Sequence, residues 1–320
     1  MKMGTKLRAA VIGVGYLGQF HAQKYKKLSE TLPVELVAVC DSFPEQAKKI
    51  AETNSVPYFL NAEELFGKVD CVTIATITPK HFELAKIFLS KGIHVNVEKP
   101  ISLTVSEAKE LCDLAEKNQV ILAVGHSERF SPVFQELKRR MKAPKFISLQ
   151  RHAPFKVRGA EVSVLHDLMV HDLDLMEALV PGEKKLLSSM TDRFCSESPD
   201  WVEATFQGTN SSKQPVQMLL GISRLVSQMV RTVKLIDQDF IYTANLQTGD
   251  LEIIPAKLKP DQTLNPEVIN AGRGDNLLSE TENFIQSILE RKPVMVSGVD
   301  GLKTIQWVEK ILSSSGRNNL

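Results

Sequence analysis

Glu98, Lys99 and Pro100 stand together where a short apolar run, Ile93 to Val97, stops. An acid, a base and a proline at such a point admit two readings. One is a solvated ion pair in a surface turn. The other is a lysine held at the mouth of a cleft, able to hydrogen-bond a hydroxyl and steady the alkoxide that develops on it. Pro100 would fix the backbone there and disfavour a helical conformation at Lys99. A second group is Gly13, Gly15 and Gly18, with G-x-G-x-x-G spacing in "AVIGVGYLGQFHA". The pattern follows a strand-like run and opens a helix-like one, the context in which it binds a dinucleotide. Gly13 would allow the tight turn, Gly15 the approach of a pyrophosphate to the backbone, and Gly18 close packing of helix on strand. Free N–H groups at the helix start attract phosphates.

Asp41 ends the next strand-like run, where an acid binds the adenosine ribose hydroxyls and repels a 2′-phosphate. Ser42 and Phe43 follow, with no arginine adjacent. NAD is therefore the expected cofactor, in preference to NADP. A third group is Asp167 and His171, four apart in the helix-like "VLHDLMVHDLDLMEAL", so that they share a helix face. Histidine can take a hydroxyl proton near neutral pH. Asp167 could orient it or join a proton relay. Asp174, three residues on, could support the histidine from behind, and His166 faces elsewhere in a structural part.

These residues need elements to position them. Through the first 150 residues β-branched runs recur: "RAAVIGV", "VELVAVC", "CVTIAT", "IHVNV", "VILAVG" and "KFISLQ". Helix-like segments lie between them, over Leu17–Ser29, Pro44–Ala51, His81–Leu89 and Ser106–Lys117. The alternation predicts βαβ units in a doubly wound parallel sheet of six strands, a Rossmann domain over residues 1–127. The remainder, 128–320, reads as an α+β domain for substrate binding and oligomerisation. There "WVEATF", "PVQMLL", "MVRTVKLI", "DFIYTA" and "GDLEII" alternate with period two, as strands of an open, mainly antiparallel sheet do. Helices near Leu277–Glu290 and Gly301–Leu312 close the chain.

Three further motifs accompany the glycine fingerprint: "EKP" at Glu98–Pro100, "GHSERFSP" at 125–132 and "HDLMVHDLDL" at 166–175. Together they make the chain similar to the family of glucose–fructose oxidoreductase, inositol dehydrogenase and their relatives. The resemblance covers nearly the whole chain, down to "SGVDGLKTIQWVEKI". Within the family, "GHSERFSP" and "DLMVHDLDL" resemble the short enzymes that oxidise the 3-hydroxyl of UDP-N-acetylglucosamine and feed a 3-amino sugar into lipid A. The resemblance implies a catalytic role for Lys99, Asp167 and His171. It also implies a cofactor set of Gly13, Gly15, Tyr16, Leu17, Gly18, Asp41, Ser42, Thr76, Ile77, Thr78, His81, Glu98, Lys99, His126 and Arg129. The family usually carries Thr-Pro after the third strand, then a histidine. Here "ATITPKH" puts Ile77 where that proline is expected and displaces Pro79, which alters the loop beside the cofactor.

The substrate would meet Lys99, Asp167, His171 and a cation for its diphosphate. "RHAPFKVRGAEVSV" offers Arg151, Lys156 and Arg158. Arginine suits a diphosphate by geometry, and Arg158 is the expected partner. The alternatives are a dehydrogenase of a free sugar or inositol, or a non-catalytic dinucleotide-binding regulator. Lys99, Asp167 and His171 weigh against the last.

Composition bounds the rest. The chain has 320 residues, 43% of them hydrophobic, enough for two cores. A formal net charge of +1 gives no field that would recruit nucleic acid or an anionic membrane. Cys40, Cys71, Cys112 and Cys195 form no C-x-x-C pair, so neither a disulfide framework nor a metal site is expected. The apolar N-terminal run is broken by glycines, unlike a signal peptide, and no stretch matches a membrane span. A cytoplasmic homo-oligomer, dimer or tetramer, acting on a small nucleotide sugar is the expectation.

Overall fold

The computed structural model describes residues 6–155, 162–257, 263 and 265–315. The chain divides into two compact units. One takes the residues up to His126 together with Leu277–Ile305; the other takes Ser127–Asn276 and the residues from Gln306 on.

The first unit begins β1 (Leu7–Ile12), α1 (Gly18–Leu28), β2 (Val34–Cys40), α2 (Pro44–Asn54) and β3 (Tyr58–Phe59). It continues with β4 (Cys71–Ile74), α3 (His81–Ser90), β5 (His94–Glu98), α4 (Val105–Lys117) and β6 (Leu122–Gly125). The strands lie in the order β3-β2-β1-β4-β5-β6, every pair parallel. That is the order of a doubly wound dinucleotide-binding sheet. Every residue of β4 and β6 is buried, as strands covered on both faces must be. Local chemistry starts the helices: Pro44 opens α2, and α4 opens on a capping box in which Thr104 and Glu107 satisfy each other's backbone N–H groups.

The second unit holds α5 (Pro132–Arg140), β7 (Phe146–His152) and α6 (Val170–Leu179). The strands β8 (Lys184–Asp192), β9 (Trp201–Thr209), β10 (Pro215–Ser223) and β11 (Val230–Ile236) follow, then β12 (Phe240–Asn245), β13 (Asp250–Pro255) and β14 (Glu267–Asn270). They form one sheet in the order β14-β13-β12-β11-β7-β10-β9-β8, antiparallel except where β7 meets β10. The chain ends in α7 (Asn276–Glu290) and α8 (Gly298–Ser315).

Three expectations change. "KFISLQ" is not the sixth strand of the first sheet; it is β7, central in the second. The sixth strand is β3, two residues long, too short to show any periodicity. A single boundary at 127/128 also fails for the segment 277–305, which belongs to the first unit. Phe284, Ile285 and Ile288 of α7 complete the core built by Leu7, Ala9, Val11, Tyr25 and Val39. Lastly, 164–179 is not one regular α-helix: Leu165–Met169 forms a wider π turn ahead of α6.

Candidate active site

In the first unit the chemical residues gather at one edge, the carboxyl ends of the parallel strands. The glycine loop follows β1, Asp41 follows β2, Thr76–Thr78 follow β4, Glu98 and Lys99 end β5, and His126 follows β6. Ligands of doubly wound sheets bind outside these ends. Gly13 adopts φ +81°, and a Cβ there would lie 2.6 Å from Thr76 Cγ2. A Cβ on Gly18 would lie 1.8 Å from the Gly13 carbonyl oxygen, so helix and loop touch backbone to backbone. Gly15 faces open space, with no atom of the described residues within 4 Å of the Cβ it lacks. Turn, cradle and close contact are each where a pyrophosphate at the start of α1 needs them. The Asp41 carboxylate ties this loop to β2, accepting N–H bonds from Val14 at 2.9 Å and Phe43 at 3.0 Å. Tyr16, Leu17, Phe43 and Ile77 leave an exposed apolar rim on these loops, and Ser42 is exposed beside them. The chain's own residues thus fit a dinucleotide.

The loop with the displaced proline is anchored from behind. Thr78–Lys80 forms a single 3₁₀ turn carrying Pro79, and His81 opens α3. The His81 ring faces the Pro100 carbonyl from Nδ1 at 2.8 Å and the Thr76 carbonyl from Nε2 at 3.1 Å. Burial pushes its pKa down against the pull of both carbonyls, so one nitrogen donates in the neutral ring. His81 was expected among the cofactor contacts; it is sealed from solvent and its ring is spent on joining two loops. The Lys99–Pro100 peptide that it holds is cis. Glu98 is buried as well, its carboxylate accepting from His21 Nε2 at 2.9 Å and from the Lys99 backbone N–H at 3.2 Å. Lys99 is part-exposed, and His126 is buried.

Asp167 and His171 belong to the second unit, and both are part-buried. Asp167 lies in the π turn, and His171 is the second residue of the regular helix just after it. Such turns recur at functional sites. His166 is held by the Ser163 hydroxyl, at 2.9 Å from Nδ1.

α6 is buried almost all round, and its three acids all find cations. Asp172 accepts from Arg151 Nε at 2.5 Å, Asp174 accepts both Nε and Nη2 of Arg129, and Glu177 meets Lys184 Nζ at 2.9 Å and Trp307 Nε1 at 2.8 Å. A buried charge must be paired in this way. Two expectations are corrected here. Asp174 is committed to Arg129 and is not the histidine's support, and Arg129 presents two of its nitrogens to that acid. Arg151 is fully buried between Glu128 and Asp172, which hold its ionisation above the usual arginine range although burial alone would lower it. It is not available to a diphosphate. Lys156 and Arg158 lie outside the described residues.

Sequence reasoning missed His21, Asn96 and Glu280. Glu280 had a signal: with Phe284 and Ile288 it repeats every four residues along the buried stripe of α7, an acid at an apolar position.

Comparison with known proteins agrees with this architecture. Residues 7–126 match the model of the Gfo/Idh/MocA oxidoreductase family, NAD-binding Rossmann fold. A UDP-N-acetylglucosamine 3-dehydrogenase of Acidithiobacillus ferrooxidans is 31% identical over 303 residues, 93% of this chain and 94% of that protein. A solved structure of that enzyme superposes with a TM-score of 0.87 at 29% identity, covering 97% of this chain and 98% of that one. An inositol 2-dehydrogenase of Rhizobium meliloti is 27% identical over 96% of both chains. With its glycine cradle, its Glu-Lys-Pro end of β5 and a likeness that runs through both units, the chain belongs to the Gfo/Idh/MocA family of NAD-binding oxidoreductases.

Proposed function

We propose that this oxidoreductase oxidises the 3-hydroxyl of UDP-N-acetylglucosamine, with NAD preferred over NADP, and that its product feeds 3-amino-sugar and lipid A synthesis. The observation that carries the substrate is the match to such an enzyme over the length of both chains, second unit included. Bound NAD supplies the acceptor for the hydride that leaves the sugar carbon. Lys99, from the end of β5, hydrogen-bonds the hydroxyl oxygen and steadies the charge that develops there. His171 takes the hydroxyl proton, and Asp167 tunes its acidity and orientation. Asp41 receives the ribose hydroxyls and disfavours a 2′-phosphate. Tyr16, Leu17, Ser42, Thr76, Ile77, Thr78, His126 and Arg129 complete the cofactor surroundings, and Arg158 meets the diphosphate. The exposed Leu187 and Met190 of β8 support a homo-oligomer.

A second reading, oxidation of an inositol or free sugar, is favoured by the inositol 2-dehydrogenase likeness. NADH formation from NAD with UDP-N-acetylglucosamine, N-acetylglucosamine and myo-inositol, each with a trap for the keto product, separates them. A rise with the nucleotide sugar alone supports the proposal. A rise with myo-inositol alone replaces it.

A further inference from the structure

Beside Lys99 the first unit seals a polar cluster from three elements distant in sequence. His21 of α1, Asn96 and Glu98 of β5, and Glu280 of α7 are all more than nine-tenths buried. One polar atom each from His21, Glu98 and Glu280 lie within 4.8 Å of one another. His21 Nε2 donates to Glu98 Oε1, and Glu98 Oε2 accepts the Lys99 amide. Glu280 Oε1 accepts from Asn96 Nδ2 at 3.2 Å, while Glu280 Oε2, Asn96 Oδ1 and His21 Nδ1 have no hydrogen-bond partner among the described residues. The fit around Glu98 is tight on its other side too. Gly125 is its register partner on β6, and a Cβ there would stand 2.9 Å from the carboxyl carbon.

We propose that His21 and Glu280 are positioning residues for Lys99: they fix the Glu98 carboxylate, and the carboxylate holds the Lys99 backbone. This rests on the reading of Lys99 as the group that steadies the substrate oxygen. Two carboxyls so close in a buried site cannot both carry charge cheaply. The surroundings divide the roles. Burial, then the Glu98 charge, push Glu280 well above the usual carboxylate range. Burial also pushes Glu98 up, but the His21 hydrogen bond and charge, with Lys99 and His81, outweigh it and hold Glu98 below that range. The other titratable groups facing the cluster are Tyr25, whose hydroxyl is bonded to Thr73 at 2.8 Å, and Cys71 beside it. Of the two carboxyls Glu280 is thus the one that takes the proton, and so it sits against Glu98 without repelling it. The role of α7 is to supply a neutral acid where a charged one would drive the Lys99 carrier out of place.

Two readouts test this, one independent of activity. In protein carrying ¹³C-carboxyl glutamate, infrared spectroscopy at about pH 8 should show a protonated-carboxyl band that Glu280→Gln removes, far above the free glutamate range. In turnover, His21→Leu should lower kcat about tenfold or more, the scale of a lost hydrogen bond to a buried charge. It should also add an ionisation to the pH profile of kcat, as Glu98 loses its donor. His21→Gln, which restores an N–H, should recover most of the rate and lose that added limb. Should His21→Leu fail to fold, Gly125→Ala keeps every polar group and only displaces the Glu98 carboxyl; it should lower kcat with little change in KM for NAD. Absence of the band, or wild-type kcat and pH profile in both His21→Leu and Gly125→Ala, overturns the proposal. Full turnover in Lys99→Met, with the band present, overturns it through its premise, and the surviving band marks that the premise failed and not the cluster.

Discussion

Arg129 grips Asp174 with two parallel bonds, Nε to Oδ2 at 2.9 Å and Nη2 to Oδ1 at 2.6 Å, both side chains being almost wholly buried. The pair fastens the turn at "SERF" to α6, the helix that carries His171. Asp174→Ala takes a buried bidentate carboxylate away from the guanidinium, and removing one partner of such a pair costs about 3–5 kcal/mol. Urea unfolding should show the midpoint falling accordingly; an unchanged midpoint would mean that Arg129 finds another partner.

Lys99→Met removes the ammonium and keeps most of the side chain's bulk. kcat should fall by at least about a hundredfold, the scale of a positioned acid–base group. NAD affinity by calorimetry should change little, because the glycine loop and Asp41 are untouched. Near-normal turnover would remove Lys99 from the chemistry.

Gly15 and Gly18 should respond to alanine in opposite ways. At Gly15 the added methyl meets no atom of the described residues, so the fold should keep its stability while NAD binds more weakly. At Gly18 it meets the Gly13 carbonyl at 1.8 Å, so the loop must move, at about 1–3 kcal/mol or more. Thermal unfolding and NAD titration of the two variants measure the contrast. A stable Gly18→Ala protein with normal NAD affinity would contradict the observed contact.

Asp41→Ser with Phe43→Arg should raise the preference for NADP, by removing the acid and adding a partner for a 2′-phosphate. The ratio of kcat/KM for the two cofactors is the measure. A ratio unmoved by the pair would mean that Asp41 does not face the ribose.

Asp200 sets an acid limit on stability. Its carboxylate accepts backbone N–H groups from Phe194, Cys195 and Ser196 and the Arg224 Nε at 2.6 Å. Burial raises its pKa, but these bonds outweigh it and hold the group well below the usual carboxylate range. A depressed acid contributes stability above its unfolded value, near pH 4, and loses it as pH falls through the folded value. Unfolding midpoints between about pH 7 and pH 3 should therefore drop less in Asp200→Asn than in the parent. Equal slopes would exclude this carboxylate as the cause.

Much of the fold was legible because it is written in local patterns. The glycine spacing after an apolar run, the valine-rich strands and Pro44 all announce their places without help from elsewhere. What was not legible depends on residues far apart. "KFISLQ" looks like another buried parallel strand, and only its neighbours β10 and β11 show that it belongs to the other sheet. Arg151 looks like a free cation for a phosphate until Glu128 and Asp172 are found around it. Asp174 has the right spacing to serve a histidine, yet a bidentate arginine outcompetes that role. The clustering of His21 with Glu280 spans most of the chain and leaves no mark in any short window.

Most of the second unit, Ser127–Asn276, is written between the two segments of the first, and synthesis must respect that order. The sheet of β1 to β6 is complete when residue 126 leaves the ribosome, but the helix that supplies Phe284, Ile285, Ile288 and Glu280 is encoded 150 residues later. At about 5–20 residues per second, that is a wait of roughly 8–30 s. Through that interval the apolar strip that Phe284, Ile285 and Ile288 cover, and the Glu98–His21 pair, wait for α7.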